Sequence, residues 1–147
     1  MRELLRLLDE DLLYIEHMVE PDIIIIRAES SKTTGICPYC GVESTSVHSV
    51  YERKLQDLPI QGKKTVLLIN RRKFFCLNKD CKHRTFAEQF CFLKPCARKT
   101  DRLQTEILAV SLTQSSLSAS KFLRRNVANV GKSTICNLLK KRNSDNE

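Results

Sequence analysis

Apolar residues Leu4, Leu5, Leu8 and Leu12 of "RELLRLLDEDLL" recur at helical spacing, which predicts a short N-terminal helix closed by an acidic cluster. "LLYIEHMV" and "IIIIRAES" then flank Glu20-Pro21-Asp22, and the second run is β-branched, so the pair reads as two strands joined by a turn. "HSVYERKLQDLPI" and "TVLLINRRKFFC" read as a second hairpin turning at Gln61-Gly62-Lys63-Lys64. From Thr100 the period becomes helical. "TDRLQTEILAVSL" puts Leu103, Ile107 and Val110 on one face behind an N-cap at Thr100 or Asp101, and "SSLSASKFLRR" and "GKSTICNLLKKR" supply two further short helices. The expected architecture is α+β: a platform over residues 1–36, a ribbon-like β segment over 37–90, and a three-helix module over 91–147.

Composition is that of a globular chain, with 41% hydrophobic and 29% charged residues among 147. No apolar run approaches a membrane span and no signal-peptide pattern opens the chain, so a cytoplasmic, nucleoid-associated address is expected, without a membrane partner. Charge sharpens the reading. Residues 1–36 carry 4 basic against 8 acidic side chains, residues 37–90 carry 10 against 5, and residues 91–147 carry 11 against 4. The whole excess of the +8 net charge therefore lies where the ribbon and helices are expected, the distribution that suits nucleic-acid phosphates.

Seven cysteines in such a chain suggest metal or redox chemistry in preference to disulfides. Cys37 and Cys40 form C-P-Y-C ahead of Gly41, and Cys76 and Cys81 form C-L-N-K-D-C, each pair at the end of a predicted strand. Two such turns suit one tetrahedral, structural Zn²⁺ site of four thiolates. A redox C-x-x-C requires a helix directly after it, and "GVESTSVHSV" is not helical in pattern. His48 and His83 are expected as surface or hydrogen-bonded histidines. Cys91, Cys96 and Cys136 lack a second partner pair and are expected as buried small apolar side chains.

Gly131-Lys132-Ser133-Thr134 ends like a phosphate-binding P-loop, but five residues before Gly131 stands Asn126 instead of glycine, and the preceding segment has helical spacing instead of a buried strand. No nucleotide partner is expected. "CPYCG", the H-S-x-Y-x-R-x-x-x-D-L-P stretch from His48 to Pro59, R-R-x-F-x-C-x-N-x-x-C from Arg71 to Cys81, and T-F-A-E at 85–88 together resemble the N-terminal zinc-binding domain of the ISL-three family of insertion-sequence transposases. That resemblance implies a following helix-turn-helix, for which "ARKTDRL" to "LLKKR" is suitable, with Asn129 in a left-handed turn, Gly131 in place of the usual Ser cap, and a recognition helix from Lys132.

Ile135, Leu138 and Leu139 form the inward stripe of that helix. Lys132, Ser133, Asn137, Lys140 and Lys141 are the candidate DNA contacts, with Arg71, Arg72 and Lys73 of the hairpin adding contacts to phosphate. The implied partners are double-stranded DNA at transposon ends and, among proteins, an intact transposase or a second copy of the chain. The family's catalytic domain holds acidic metal ligands, which the residues given do not supply, so no strand-cleaving activity is expected of them. A protein-interaction module built on the zinc ribbon, and a regulator competing with an intact transposase, are the alternative functions.

Overall fold

The computed structural model describes residues 1–146. Helix α1 (Arg2–Arg6) seats Leu5 in the core and then stops. The leucine pattern that predicts helix is broken by "DED": the Asp9 carboxylate accepts the Asp11 N–H at 2.9 Å, turning the chain, and Leu12 opens a strand. Strands β1 (Leu12–Val19) and β2 (Ile23–Ser30) make the predicted antiparallel hairpin around Pro21, with a bulge between Tyr14 and Glu16.

Two-residue strands β3 (Gly35–Ile36) and β4 (Glu43–Ser44) flank the first cysteine turn. The second hairpin is long, β5 (Val47–Ile60) against β6 (Lys63–Phe75). Its two central residues both take positive φ, 52° at Gln61 and 75° at Gly62, the mirror-image turn whose twist matches the flanking strands. Glycine adopts this at no steric cost, and Gln61 is the strained member.

β2 pairs with β6 in parallel from Ile23↔Lys64 to Glu29↔Asn70, so strands from residues 1–36 and 37–90 share one mixed sheet of order β1-β2-β6-β5. Where β2 leaves β6 at Asn70, β7 (Thr85–Ala87) takes its place along Lys73–Phe75. Alternation along β2, β5 and β6 sends Ile24, Ile26, Ala28, Leu55, Leu67 and Ile69 to one face, where they pack with Leu5, Phe90, Phe92 and Leu93. The opposite face is more mixed.

Helices α2 (Asp101–Thr113), α3 (Ser116–Asn126) and α4 (Lys132–Asp145) form a separate core around Leu103, Ile107, Ala119, Leu123, Val130 and Ile135. Thr100 and Ser115 cap α2 and α3 through their hydroxyls, whereas α4 begins behind Gly131 with no side-chain cap. The α3–α4 link differs from expectation at Asn129, whose φ is not positive. Its N–H donates to Gln56 Oε1 at 2.8 Å and its Oδ1 accepts from Lys64 Nζ at 3.1 Å, so contacts from the hairpin hold this residue without a left-handed turn. Ser120 Oγ and Arg124 Nε both donate to the Val130 carbonyl, closing the link from the α3 side.

The two cores meet at β5. The Gln56 N–H donates to the Arg98 carbonyl and the Thr100 N–H to the Gln56 carbonyl, which continues the sheet edge into the start of α2. Leu58 inserts its side chain against the helical core. Among the described residues no helix is long and apolar enough to cross a membrane.

Candidate metal centre and nucleic-acid interface

Cys37 follows β3 and Cys76 follows β6, so strand ends deliver one thiol of each pair while the turns bring round Cys40 and Cys81. Their four Sγ atoms lie within 4.8 Å of one another, with Cys40 and Cys76 at 3.5 Å. A tetrahedral Zn²⁺ with Zn–S bonds of about 2.3 Å places its sulfurs about 3.8 Å apart, so the cluster has the size of a closed four-thiolate shell. Gly41, at φ 76°, makes the tight turn after Cys40, as its position in the sequence predicts.

The electrostatics also call for a cation. Backbone N–H groups of Val42, Asn78 and His83, each two residues beyond a cysteine, are directed at Cys40, Cys76 and Cys81. The Val42 amide leads in bringing the Cys40 thiol down to about 7 against the opposing effect of burial. At Cys76 the Asn78 amide also lowers the value, but burial and the neighbouring thiols outweigh it and push the group up to about 12. Four thiols this close cannot all ionise alone, and a divalent ion removes the conflict. The donor set is sulfur only and closed, the pattern of a structural site for one Zn²⁺.

Beneath the thiols lies a small aromatic core. Phe74 and Phe86 stack at 5.6 Å between centroids, packed with the buried Cys37. A Cβ on Gly35 would stand 2.7 Å from two Phe74 ring carbons, so the backbone entering the first turn needs glycine here. Over the top, Tyr39 of one turn stacks on His83 of the other, with centroids 3.5 Å apart and planes 11° from parallel. His48 donates or accepts at Ser49 Oγ and lies edge-on to Phe75. Both histidines are exposed and outside the sulfur cluster.

Residues 33–81 match the zinc-finger of transposase IS204/IS1001/IS1096/IS1165. The matched segment contains all four clustered cysteines and the whole β5–β6 hairpin. No curated protein and no solved structure matches the chain.

Around the zinc finger, the two hairpin arginines expected on phosphate are committed elsewhere. Arg71 is buried, with Nε donating to the Glu88 carbonyl at 2.7 Å. Arg72 pairs with the buried Glu88 carboxylate at 2.6 Å and lies over the Phe74 ring at 5.2 Å. Burial and pairing leave neither guanidinium free for a phosphate. Lys73 is half-buried between Ser49 and Ala87 on the neighbouring strands.

Lys132, Ser133, Asn137, Lys140 and Lys141 are all exposed on α4; Ser133, Asn137 and Lys140 lie opposite the buried Ile135, whereas Lys132, three residues before it, lies on its flank. Lys141 lies at the α2 side, lining a cleft with Asp101, Gln104 and Asp145. The GKST letters that resemble a P-loop form the first turn of α4 and follow helix α3 instead of a strand. The remaining cysteines differ from expectation: Cys91 and Cys96 are exposed and Cys136 is half-buried. Cys91 donates to Asp9 Oδ2 at 3.3 Å and Cys136 to Ser116 Oγ at 3.6 Å, polar contacts that small apolar fillers would not make.

Proposed function

We propose that this chain is a DNA-binding protein of transposase origin, in which helices α2–α4 act as a helix-turn-helix and the zinc finger holds them in place. The observation that carries the reading is the division of α4. Ile135 is buried against α2 and α3, while Ser133, Asn137 and Lys140 share a face open to solvent. A helix so mounted can enter a major groove, where Asn pairs with adenine and Lys reaches guanine or phosphate. The substrate proposed is duplex DNA at the ends of a mobile element, bound without strand cleavage by the residues described.

Fluorescence anisotropy of the zinc-loaded protein at physiological salt tests this, using duplexes from the DNA flanking its gene and shuffled versions of them. Preference for the flanking DNA supports a transposon-end reader. Equal affinity for both reduces the role to general phosphate binding, and no affinity for either overturns the proposal in favour of a protein-interaction module.

A further inference from the structure

The tip of the zinc finger carries free positive charge of its own. Lys79, Lys82 and Arg84 are exposed around the second cysteine turn, and none of them forms an ion pair among the described residues. The one carboxylate beside them is Asp80, whose N–H is turned back onto Asn78 Oδ1 at 3.0 Å. The Tyr39–His83 stack and the exposed Leu77 complete a surface of aromatic, apolar and cationic groups. Such a mixture suits the sugar-phosphate backbone, with cations on phosphate and flat rings against sugar.

The position of this tip relative to the helices is set by the β5–β6 hairpin. The helical module is fastened at Asp57, whose register partner on β6 is Thr65, while β6 ends at Phe75, next to the first cysteine of the second turn. From Thr65 to Phe75 the strand advances ten residues, about 33 Å at the usual rise of about 3.3 Å per residue. One turn of B-DNA is about 34 Å. Between the two ends, Lys54 and Arg98 are exposed, without ion pairs, and line one groove beside β5.

We propose that the hairpin is a spacer that puts the zinc-finger tip one helical turn away from the α4 contact, where Lys79, Lys82 and Arg84 grip the DNA backbone. This rests on the DNA-binding reading above and extends it with a second, sequence-independent site. It replaces Arg71 and Arg72 as the basic contact of the zinc finger. The metal contributes indirectly, because clamping both turns holds the stack and the three cations in one rigid tip.

The test compares three zinc-loaded full-length proteins: the parent, K79A/K82A/R84A, and N137A/K140A. Each is titrated onto a mixed-sequence duplex of about 30 bp, three helical turns, over a range of salt. Zinc content and thermal unfolding of all three are measured first. Loss of three phosphate contacts makes the slope of log affinity against log salt shallower by about 2.7 in the tip variant, with weaker binding at low salt.

Hydroxyl-radical footprints on DNA flanking the gene supply the spacing, with two protected patches about 10 bp apart expected for the parent and one for the tip variant. A tip variant that folds, holds zinc and keeps the parental slope overturns the proposal while leaving the helix reading intact. An N137A/K140A protein with parental binding, beside a weakened tip variant, overturns the α4 reading and supports the tip. A parent that binds no duplex overturns both.

Discussion

Asp57 of β5 holds Arg102 of α2 in a two-point ion pair, Nε to Oδ1 at 2.8 Å and a second guanidinium nitrogen to Oδ2, while its Oδ1 also accepts the Thr100 hydroxyl at 2.7 Å. The carboxylate is buried, with 3% of its side chain exposed. One side chain therefore satisfies the N-cap residue and a first-turn cation of α2 together, and ties the helices to the zinc-bearing hairpin. Arg102 responds accordingly, its pKa raised by the hydrogen bond to Asp57.

Asp57→Ala removes the acceptor for both groups and is expected to cost about 3 kcal/mol, the lower end for breaking a buried pair, because Arg102 can turn its half-exposed end to water. Thermal unfolding checks the magnitude. Separate, earlier melting of the helical module is expected as well, visible as loss of helical circular dichroism ahead of the sheet.

Arg72→Ala leaves the Glu88 carboxylate buried without its cation and removes the guanidinium from the Phe74 ring, for an expected loss of about 3 kcal/mol. If the protein is held folded at low temperature, the salt dependence of DNA binding stays at the parental value. Denaturant unfolding and salt titration together distinguish this structural role from a phosphate contact.

Cys76→Ser is expected to abolish stoichiometric zinc, and chelation of the parent to unfold the finger, since metal binding in small zinc domains contributes on the order of 10–16 kcal/mol. Metal analysis should find one Zn²⁺ per parent chain. Zinc uptake at neutral pH should release protons, because Cys76 and Cys81 are both raised above the ordinary thiol value in the metal-free cluster. Lowering the pH therefore favours the protonated thiols and weakens metal binding, which competition titration at two pH values measures.

Gly35→Ala drives a methyl to 2.7 Å from the Phe74 ring and 3.0 Å from Phe86, both fixed in the aromatic core beneath the thiols. Overpacking of this kind costs about 1–3 kcal/mol. A lower melting temperature and weaker zinc retention under chelator challenge are the expected readouts, and an unchanged melting curve would show that the rings can yield.

The metal site was legible in the sequence because its chemistry is local: two short cysteine spacings at strand ends, with a glycine for the turn. Helix positions were legible for the same reason, through Thr100 and the apolar spacing of Leu103 and Ile107. The parallel pairing of β2 with β6 was not, because alternation identifies a strand but not its neighbour. Arg71 and Arg72 look like surface cations in one dimension. Only the arrival of β7 and Glu88 beside β6 shows that they are committed inside the protein. Asp57 lay in a D-L-P stretch whose letters carry no sign of the helix 43 residues later that it holds.

The order of strands has a consequence for how the chain assembles. β2 and β6 run parallel, so β3, β4 and β5 all lie in the connection between them and must be accommodated before the sheet can close. Such distant pairing is slow to find, because the ordering entropy of the loop is lost before any contact rewards it. Cys40 and Cys76 stand 36 residues apart on either side of the β5–β6 hairpin. An ion captured early by the four thiols would tie the chain just beyond β2 to the end of β6 and shorten the search, making metal supply during synthesis a determinant of folding yield as well as of final stability.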